Sequence, residues 1–266
     1  MPVHIEITDN VAVLTLSRPE ARNCWGQDFT DGLAEHLARI EHDDNIHCVV
    51  LTGDPAGDAF SAGADLKDAR THRLETADDL FADLPKWRKF TARVLDTFPK
   101  PIVAAVNGYA IGIGCILTYC CDLIVASERA EWRLPQTALG IMPAYGGAVR
   151  LARWVGRGHA MRLAMGFNFN AEEAFRIGLA QWVVSPEQLM PKALEIAAHI
   201  ADAPPMATQM AKESLVRGLN TSNLEEASWN DVYRFMALSL TSATRERHDT
   251  WRERQRERRE HQPVQS

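Results

Sequence analysis

Six short segments, in which apolar residues alternate with polar ones or run uninterrupted, punctuate the chain: VHIEIT near the start, VAVLTLS over 11–17, HCVVLTG over 47–53, PIVAAVNG over 101–108, DLIVAS over 122–127 and AQWVVS over 180–185. Each is rich in β-branched residues and reads as a strand. Between them, apolar positions recur at helical spacing over 27–41, 77–97, 110–122 and 147–155. A strand pair followed by helix and strand in alternation predicts an α/β layered core. After Ser185 the pattern is helical only, with Pro186, Pro191, Pro204 and Pro205 at or between the helix starts, where a residue lacking its N–H is tolerated. We therefore expect a core over 1–190 and a C-terminal helical subdomain over 191–266.

Composition narrows the class. With 266 residues, 46% of them hydrophobic and 24% charged, the chain can bury one large core. Its net charge of −6 gives no basic field for nucleic acid, although a local basic pocket for an anionic ligand is compatible with it. No apolar stretch approaches the roughly 20 residues that span a bilayer, and MPVHIEITDN lacks a basic segment followed by an apolar one. A cytoplasmic location with no membrane partner is the expectation. The five cysteines (Cys24, Cys48, Cys115, Cys120 and Cys121) include no CxxC pair and lie in apolar surroundings, which predicts reduced core thiols. The final TRERHDTWRERQRERREHQP alternates arginine with acids, as a solvated helix or a subunit contact would.

Two stretches carry candidate chemistry. FSAGADLKD, over 60–68, follows a strand and a glycine-containing loop, so backbone near Gly63 can approach a ligand. AIGIGCILTYCCD, over 110–122, places Gly112 and Gly114 between a strand and an apolar helix, presenting unpaired N–H groups at a positive helix end. A pair of such donors aimed at one oxygen would stabilise it as it gains negative charge, which is an oxyanion hole. Other classes fit less well. There is no GxGxxG, no GxxxxGK[ST] and no GxSxG, and the His and Asp residues of EHDDNIHC sit where a helix gives way to a strand, which reads as a turn rather than a metal site.

Four blocks in order, FSAGADLKD, KPIVAAVNGYAIGIGCILTYCCDLIVASERAEW, LPQTALGIMPAYGGAVRLARWVG and AEEAFRIGLAQWVV, resemble the enoyl-CoA hydratase/isomerase family, the crotonase superfamily. The resemblance implies a ββα spiral core, a C-terminal helical subdomain that serves trimerisation and covers the acyl pocket, and a homotrimer or dimer of trimers. It also implies an acyl-coenzyme A substrate and no separate cofactor, coenzyme A being part of the substrate. By position, the family's two oxyanion donors fall on the backbone N–H groups of Ala64 and Ile113; the second is usually glycine, so the isoleucine is a departure. Ala62, Ala64, Asp65, Leu66 and Lys67 align with the strip that contacts coenzyme A, and Arg18 and Arg22 are candidate partners for its phosphates.

The family's hydratases add water across a double bond with two glutamates as base and acid. Here Ile116 stands at the first position and Gln136 at the second. Isoleucine transfers no proton, and a carboxamide orients water or a carbonyl without acting as a base near neutral pH. Isomerisation, carbon–carbon cleavage, decarboxylation or hydrolysis is therefore expected ahead of plain hydration, the alternative being a silent acyl-CoA-binding protein. Tyr145, in MPAYGGAV, is the next candidate for proton handling, or else a packed tyrosine; Trp25 is a platform for a bulky acyl group or a core residue. Asp68, Glu75, Asp78, Asp79 and Asp83 could supply a carboxylate from the segment covering the acyl pocket but read mainly as solvated, and Asp65 and Asp122 read as loop and turn fasteners.

Overall fold

The computed structural model describes residues 2–65, 76–79, 81, 95, 97–144 and 146–260. The six expected strands are all present: β1 (Val3–Thr8), β2 (Val11–Leu16), β3 (Cys48–Gly53), β5 (Ile102–Val106), β7 (Leu123–Ser127) and β10 (Trp182–Val184). They form one sheet in the order β1-β2-β3-β5-β7-β10, antiparallel only between β1 and β2. A parallel sheet needs cover on both faces, and the strands supply alternate residues to each. Ala12, Leu14, Val49, Leu51, Ala104 and Ile124 pack into the larger core, which includes Phe29, Leu33, Leu37 and Ile40 of helix α1 (Gln27–Glu41). Val11, Cys48, Val50, Val103 and Val125 face the other way, against Leu189, Ala193, Ile196 and Ala197 of helix α5 (Leu189–Ala201).

A second sheet, of β4 (Ala59–Ser61), β6 (Tyr109–Ile111), β8 (Glu131–Arg133) and β9 (Phe169–Asn170), escaped the pattern reading. Two or three residues are too few to display a period of two. This sheet explains a correction to the expected helix over 110–122: Ala110 and Ile111 pair with β4 and β8, so helix α2 begins only at Ile113 and runs to Thr118. Helix α3 (Gly147–Ala164) exceeds its expected end at 155 and breaks at Gly156, whose φ of 76° is non-helical. Of the helix expected over 77–97, residues 77–79 are helical and most of the rest lies outside the described residues. A short helix α4 (Ala171–Arg176) follows β9, capped by the Asn170 side chain on the Glu173 N–H.

The chain divides into two compact units, Met1–Asp202 and Ala203–Ser266. The division falls later than the expected 190 because α5 is the second cover layer of the sheet, and His47 Nδ1 donates to the Ala201 carbonyl at its end (2.9 Å). The second unit holds α6 (Pro205–Gly218), α7 (Leu224–Ser239) and α8 (Ser242–Glu260). Neither α6 nor α7 contains a buried residue. On α7 and its end, Trp229, Tyr233, Phe235, Met236 and Leu240 are all exposed. The arginines and acids of α8 include an i,i+3 pair, Arg252 with Asp249, on an exposed surface.

All five cysteines are free thiols, and four of them are buried. No described helix is long and apolar enough to cross a membrane. Asp122 fastens the sheet as expected, its carboxylate accepting from the Ile102 N–H at 2.7 Å while its own N–H donates to the Ile102 carbonyl. Asp122→Ala leaves that edge donor without its charged acceptor and should lower unfolding stability by about 1–3 kcal/mol. Urea titration reads this as a lower midpoint with an unchanged slope.

Candidate active site

The two glycine-containing stretches meet. Strand β4 ends at Ser61 and β6 at Ile111, two parallel neighbours whose chains leave the sheet side by side. Gly63 has φ +93°, and a Cβ there would stand 2.8 Å from the Ile111 carbonyl oxygen. Gly112, with φ +55°, turns β6 into α2, and its Cβ position lies 3.9 Å from the Gly63 Cα. Two residues on, a Cβ on Gly114 would collide with the Ser61 carbonyl. Only glycine permits this approach.

The contact brings two backbone donors together. Ala64 forms an isolated parallel bridge with Trp25, in which Trp25 N donates to Gly63 O (2.7 Å) and Asp65 N donates to Trp25 O (2.9 Å). The bridge uses groups on either side of Ala64, whose own N–H points away from it, and Ala64 is exposed. Ile113 opens α2, so its N–H has no intrahelical acceptor and lies at the positive end of the helix. Gln136 joins them. Its Nε2 is 3.6 Å from the Gly112 Cβ position, and its Oε1 is buried without a hydrogen-bond partner among the described residues. The turn Thr137–Leu139 holds it in place, with Thr137 Oγ1 donating to the Ala164 carbonyl.

Ile116 is 1% exposed and lies against the start of α3, where a Gly147 Cβ would be 2.7 Å from its Cδ1. Tyr145, Leu66 and Lys67 lie outside the described residues, as do Asp68, Glu75 and Asp83. Asp78 is exposed; Asp79 accepts from the Thr76 N–H and hydroxyl and so caps its own turn. A side chain that pattern reading passed over also belongs here. Tyr119, one helical turn beyond Ile116, is 2% exposed, and its hydroxyl is 3.4 Å from the Gly147 Cβ position with no partner among the described residues. Burial pushes its phenol well above the usual range, helped by Cys115 and Cys120 and opposed by Arg150. The only sequence signal was a polar-tipped aromatic in an otherwise apolar helix.

The remaining residues brace the donors or flank them. Arg18 is ion-paired with Asp28, stacks 4.9 Å over Phe29, donates to the Cys24 carbonyl and stands 3.9 Å from Asp65. Arg22 is exposed and lies over the Tyr109 ring, while its carbonyl accepts from the Ala62 N–H. Trp25 is 5% exposed, stacked on Phe29, with its Nε1 donating to Thr30 Oγ1 at 3.0 Å. It therefore meets the donor turn through its backbone, and its indole belongs to the core. Among the described residues no group of three or more His, Cys, Asp or Glu side chains is arranged for a metal ion. The His42 and His47 rings of the 41–48 stretch bond to the Ala38 and Ala201 carbonyls instead. A separate hollow of about 570 Å³ beside β8 and β9 is lined by Glu131, Arg162, Arg176 and Glu173 among others, and both arginines pair with Glu173.

The enoyl-CoA hydratase/isomerase family model matches residues 6–261, and the chain belongs to that family. Among individual relatives, it is 38% identical over 219 residues to the short-chain-enoyl-CoA hydratase of Clostridium acetobutylicum, covering 82% of each chain. It is 36% identical over 213 residues to the 1,2-epoxyphenylacetyl-CoA isomerase of Escherichia coli, covering 80% of each. The crystal structure of an enoyl-CoA hydratase from Bacillus anthracis superposes with a TM-score of 0.88 at 31% identity, over 96% of this chain and 97% of that one.

The close approach of the turns is open to test. Gly63 and Gly140 both have positive φ, but only Gly63 has backbone within 4 Å of its Cβ position. Gly63→Ala should therefore cost about 1–3 kcal/mol more stability than Gly140→Ala, measured by chemical denaturation of both variants. Equal losses would mean that the turns do not press on one another.

Proposed function

We propose that this protein is an acyl-CoA enzyme of the family that stabilises an enolate through the Ala64 and Ile113 N–H groups and carries out chemistry other than plain hydration. One observation carries the reading: the donor pair is built with glycine-limited contacts, while the neighbouring positions hold a carboxamide, Gln136, and a hydrocarbon, Ile116. Two aligned N–H groups match an oxygen that becomes charged as the reaction proceeds. Loss of a proton or of carbon dioxide from the thioester's α-carbon, or departure of a β-acyl group as the carboxylic acid once water has added to it, leaves an electron pair that delocalises on to that oxygen, and a proton later returns to carbon. Decarboxylation generates the pair without a general base, so it tolerates the residues present at 116 and 136, whereas release of an acyl group needs a water that gives up a proton. Isomerisation requires a proton carrier, for which Tyr145 is our candidate. The orphaned Gln136 Oε1 accepts a hydrogen bond from a water or substrate hydroxyl, and its NH₂ orients a carbonyl.

Coenzyme A would lie along Ala62, Asp65, Leu66 and Lys67. For its phosphates, Arg22 is the better placed of the two arginines, being exposed where Arg18 is engaged by Asp28 and Phe29. A trimer, or a dimer of trimers, is also proposed. Its support is the second unit, where α6 and α7 bury nothing while Trp229, Tyr233, Phe235 and Met236 are exposed. So much contiguous apolar side chain marks an association surface. Light scattering on the purified chain should give three or six times the 29.7 kDa chain mass, and Phe235→Glu should shift it towards the monomer.

The chemistry is tested by incubating the protein with crotonyl-CoA and with branched, cyclic and β-keto acyl-CoAs. Little hydration of crotonyl-CoA is expected, with turnover of a panel member. The double variant Ile116→Glu, Gln136→Glu should raise crotonyl-CoA hydration by about 100-fold or more, the scale of a positioned acid–base pair. Rapid hydration by the wild type that survives Gln136→Ala would defeat the reading of positions 116 and 136. Binding across the panel without any product would instead identify a silent acyl-CoA-binding protein.

A further inference from the structure

The buried polar groups of the aromatic residues around the core are satisfied in two cases and not in a third. Trp25 Nε1 donates to Thr30 Oγ1 and Trp132 Nε1 to Thr118 Oγ1, each at 3.0 Å. The Tyr119 hydroxyl, on a side chain only 2% exposed, has no hydrogen-bond partner among the described residues. Phenylalanine would fill the same space without leaving a donor unpaired, so the ring's packing does not account for the oxygen.

Its location gives the hydroxyl a use. Tyr119 closes the C-terminal end of α2, whose first residue is the proposed donor Ile113. Side chains on a helix lean back towards its N-terminus, and the phenol accordingly reaches the Gly147 backbone beside the tip of Ile116. The hydroxyl thus stands on the face of α2 that carries the position discussed for the first glutamate. Six residues of helix separate its Cα from the donor turn, roughly 9 Å at the usual rise. A group contacted there lies several atoms along an acyl chain from the thioester. Three ionisable groups act electrostatically on the phenol: the Cys115 and Cys120 thiols from its own helix and turn, and the Arg150 guanidinium from the first turn of α3. The one cation among them favours an electron-rich oxygen as the missing partner.

We propose that Tyr119 is a specificity-determining residue of the acyl pocket, its hydroxyl donating a hydrogen bond to an acceptor oxygen, ketone or carboxylate, carried on the acyl group beyond the thioester. This rests on the acyl-CoA reading above, and it narrows the substrate class from acyl-CoA in general to oxygenated acyl-CoA. The test compares dissociation constants of butyryl-CoA, acetoacetyl-CoA and succinyl-CoA for the wild type and Tyr119→Phe by isothermal titration calorimetry. Tyr119→Phe should weaken at least one of the two oxygenated esters about tenfold while butyryl-CoA stays within twofold, and thermal unfolding should be unchanged or slightly raised. Loss on acetoacetyl-CoA alone assigns a ketone, and loss on succinyl-CoA a carboxylate. Unchanged ratios of both oxygenated esters to butyryl-CoA, or an equal loss on all three, would overturn the assignment and leave the acyl-CoA reading standing. Failure of the wild type to bind any of the three would overturn both.

Discussion

The contact between the turn at Gly63 and the turn at Gly112 is the constraint on which the site depends. Two parallel strands, β4 and β6, end together, and their chains stay in contact because Gly63 has no Cβ to press on the Ile111 carbonyl and Gly112 adopts a positive φ that side chains disfavour. Main-chain N–H groups stand on both turns, that of Ala64 beside its bridge to Trp25 and that of Ile113 at the start of α2. A donor built from backbone is indifferent to the side chain it carries, so isoleucine at 113 leaves the N–H in place. Everything else near the site adjusts to this contact: Trp25 bridges Ala64 from one side, and Gln136 lies against Gly112 from another.

What surrounds the donors is less polar than their arrangement leads one to expect. Ile116 packs against Gly147, Tyr119 is buried with its hydroxyl unpaired among the described residues, and the Cys115 thiol is pushed well above its usual range by complete burial. A low-dielectric wall of this kind strengthens any electrostatic contact made at the donors and disfavours a buried carboxylate. The two orphaned polar atoms near the site, Gln136 Oε1 and Tyr119 OH, offer one acceptor and one donor. Specificity through such groups is strong because an unsuitable ligand leaves them unpaired.

The boundary between the two units has a simple physical origin. A parallel sheet requires two cover layers; α1 supplies part of one and α5 much of the other, so α5 stays with the first unit despite following the last strand. In the second unit α6 and α7 bury no residue, and they expose aromatic and aliphatic side chains that a core helix would hide.

The six strands of the large sheet, the α1 stripe of Phe29, Leu33, Leu37 and Ile40, and the glycine stretches were legible in the sequence, because periodicity and turn chemistry are local properties. So was the family, since four blocks agree in order and the family model matches residues 6–261. The second sheet was not legible, its strands being too short to show a period, and its absence from the reading moved the start of α2 three residues too early. The engagement of Arg18 and the Tyr119 hydroxyl, without a partner among the described residues, were equally hidden, whereas the burial of Trp25 decided between the two readings that the sequence offered. The sequence alone thus determined which local elements form and which family the chain resembles. Tertiary structure alone decided which backbone groups meet and which polar atoms are left without partners, because both depend on approaches between segments as far apart in the chain as Gly63 and Gly112, or Tyr119 and Gly147.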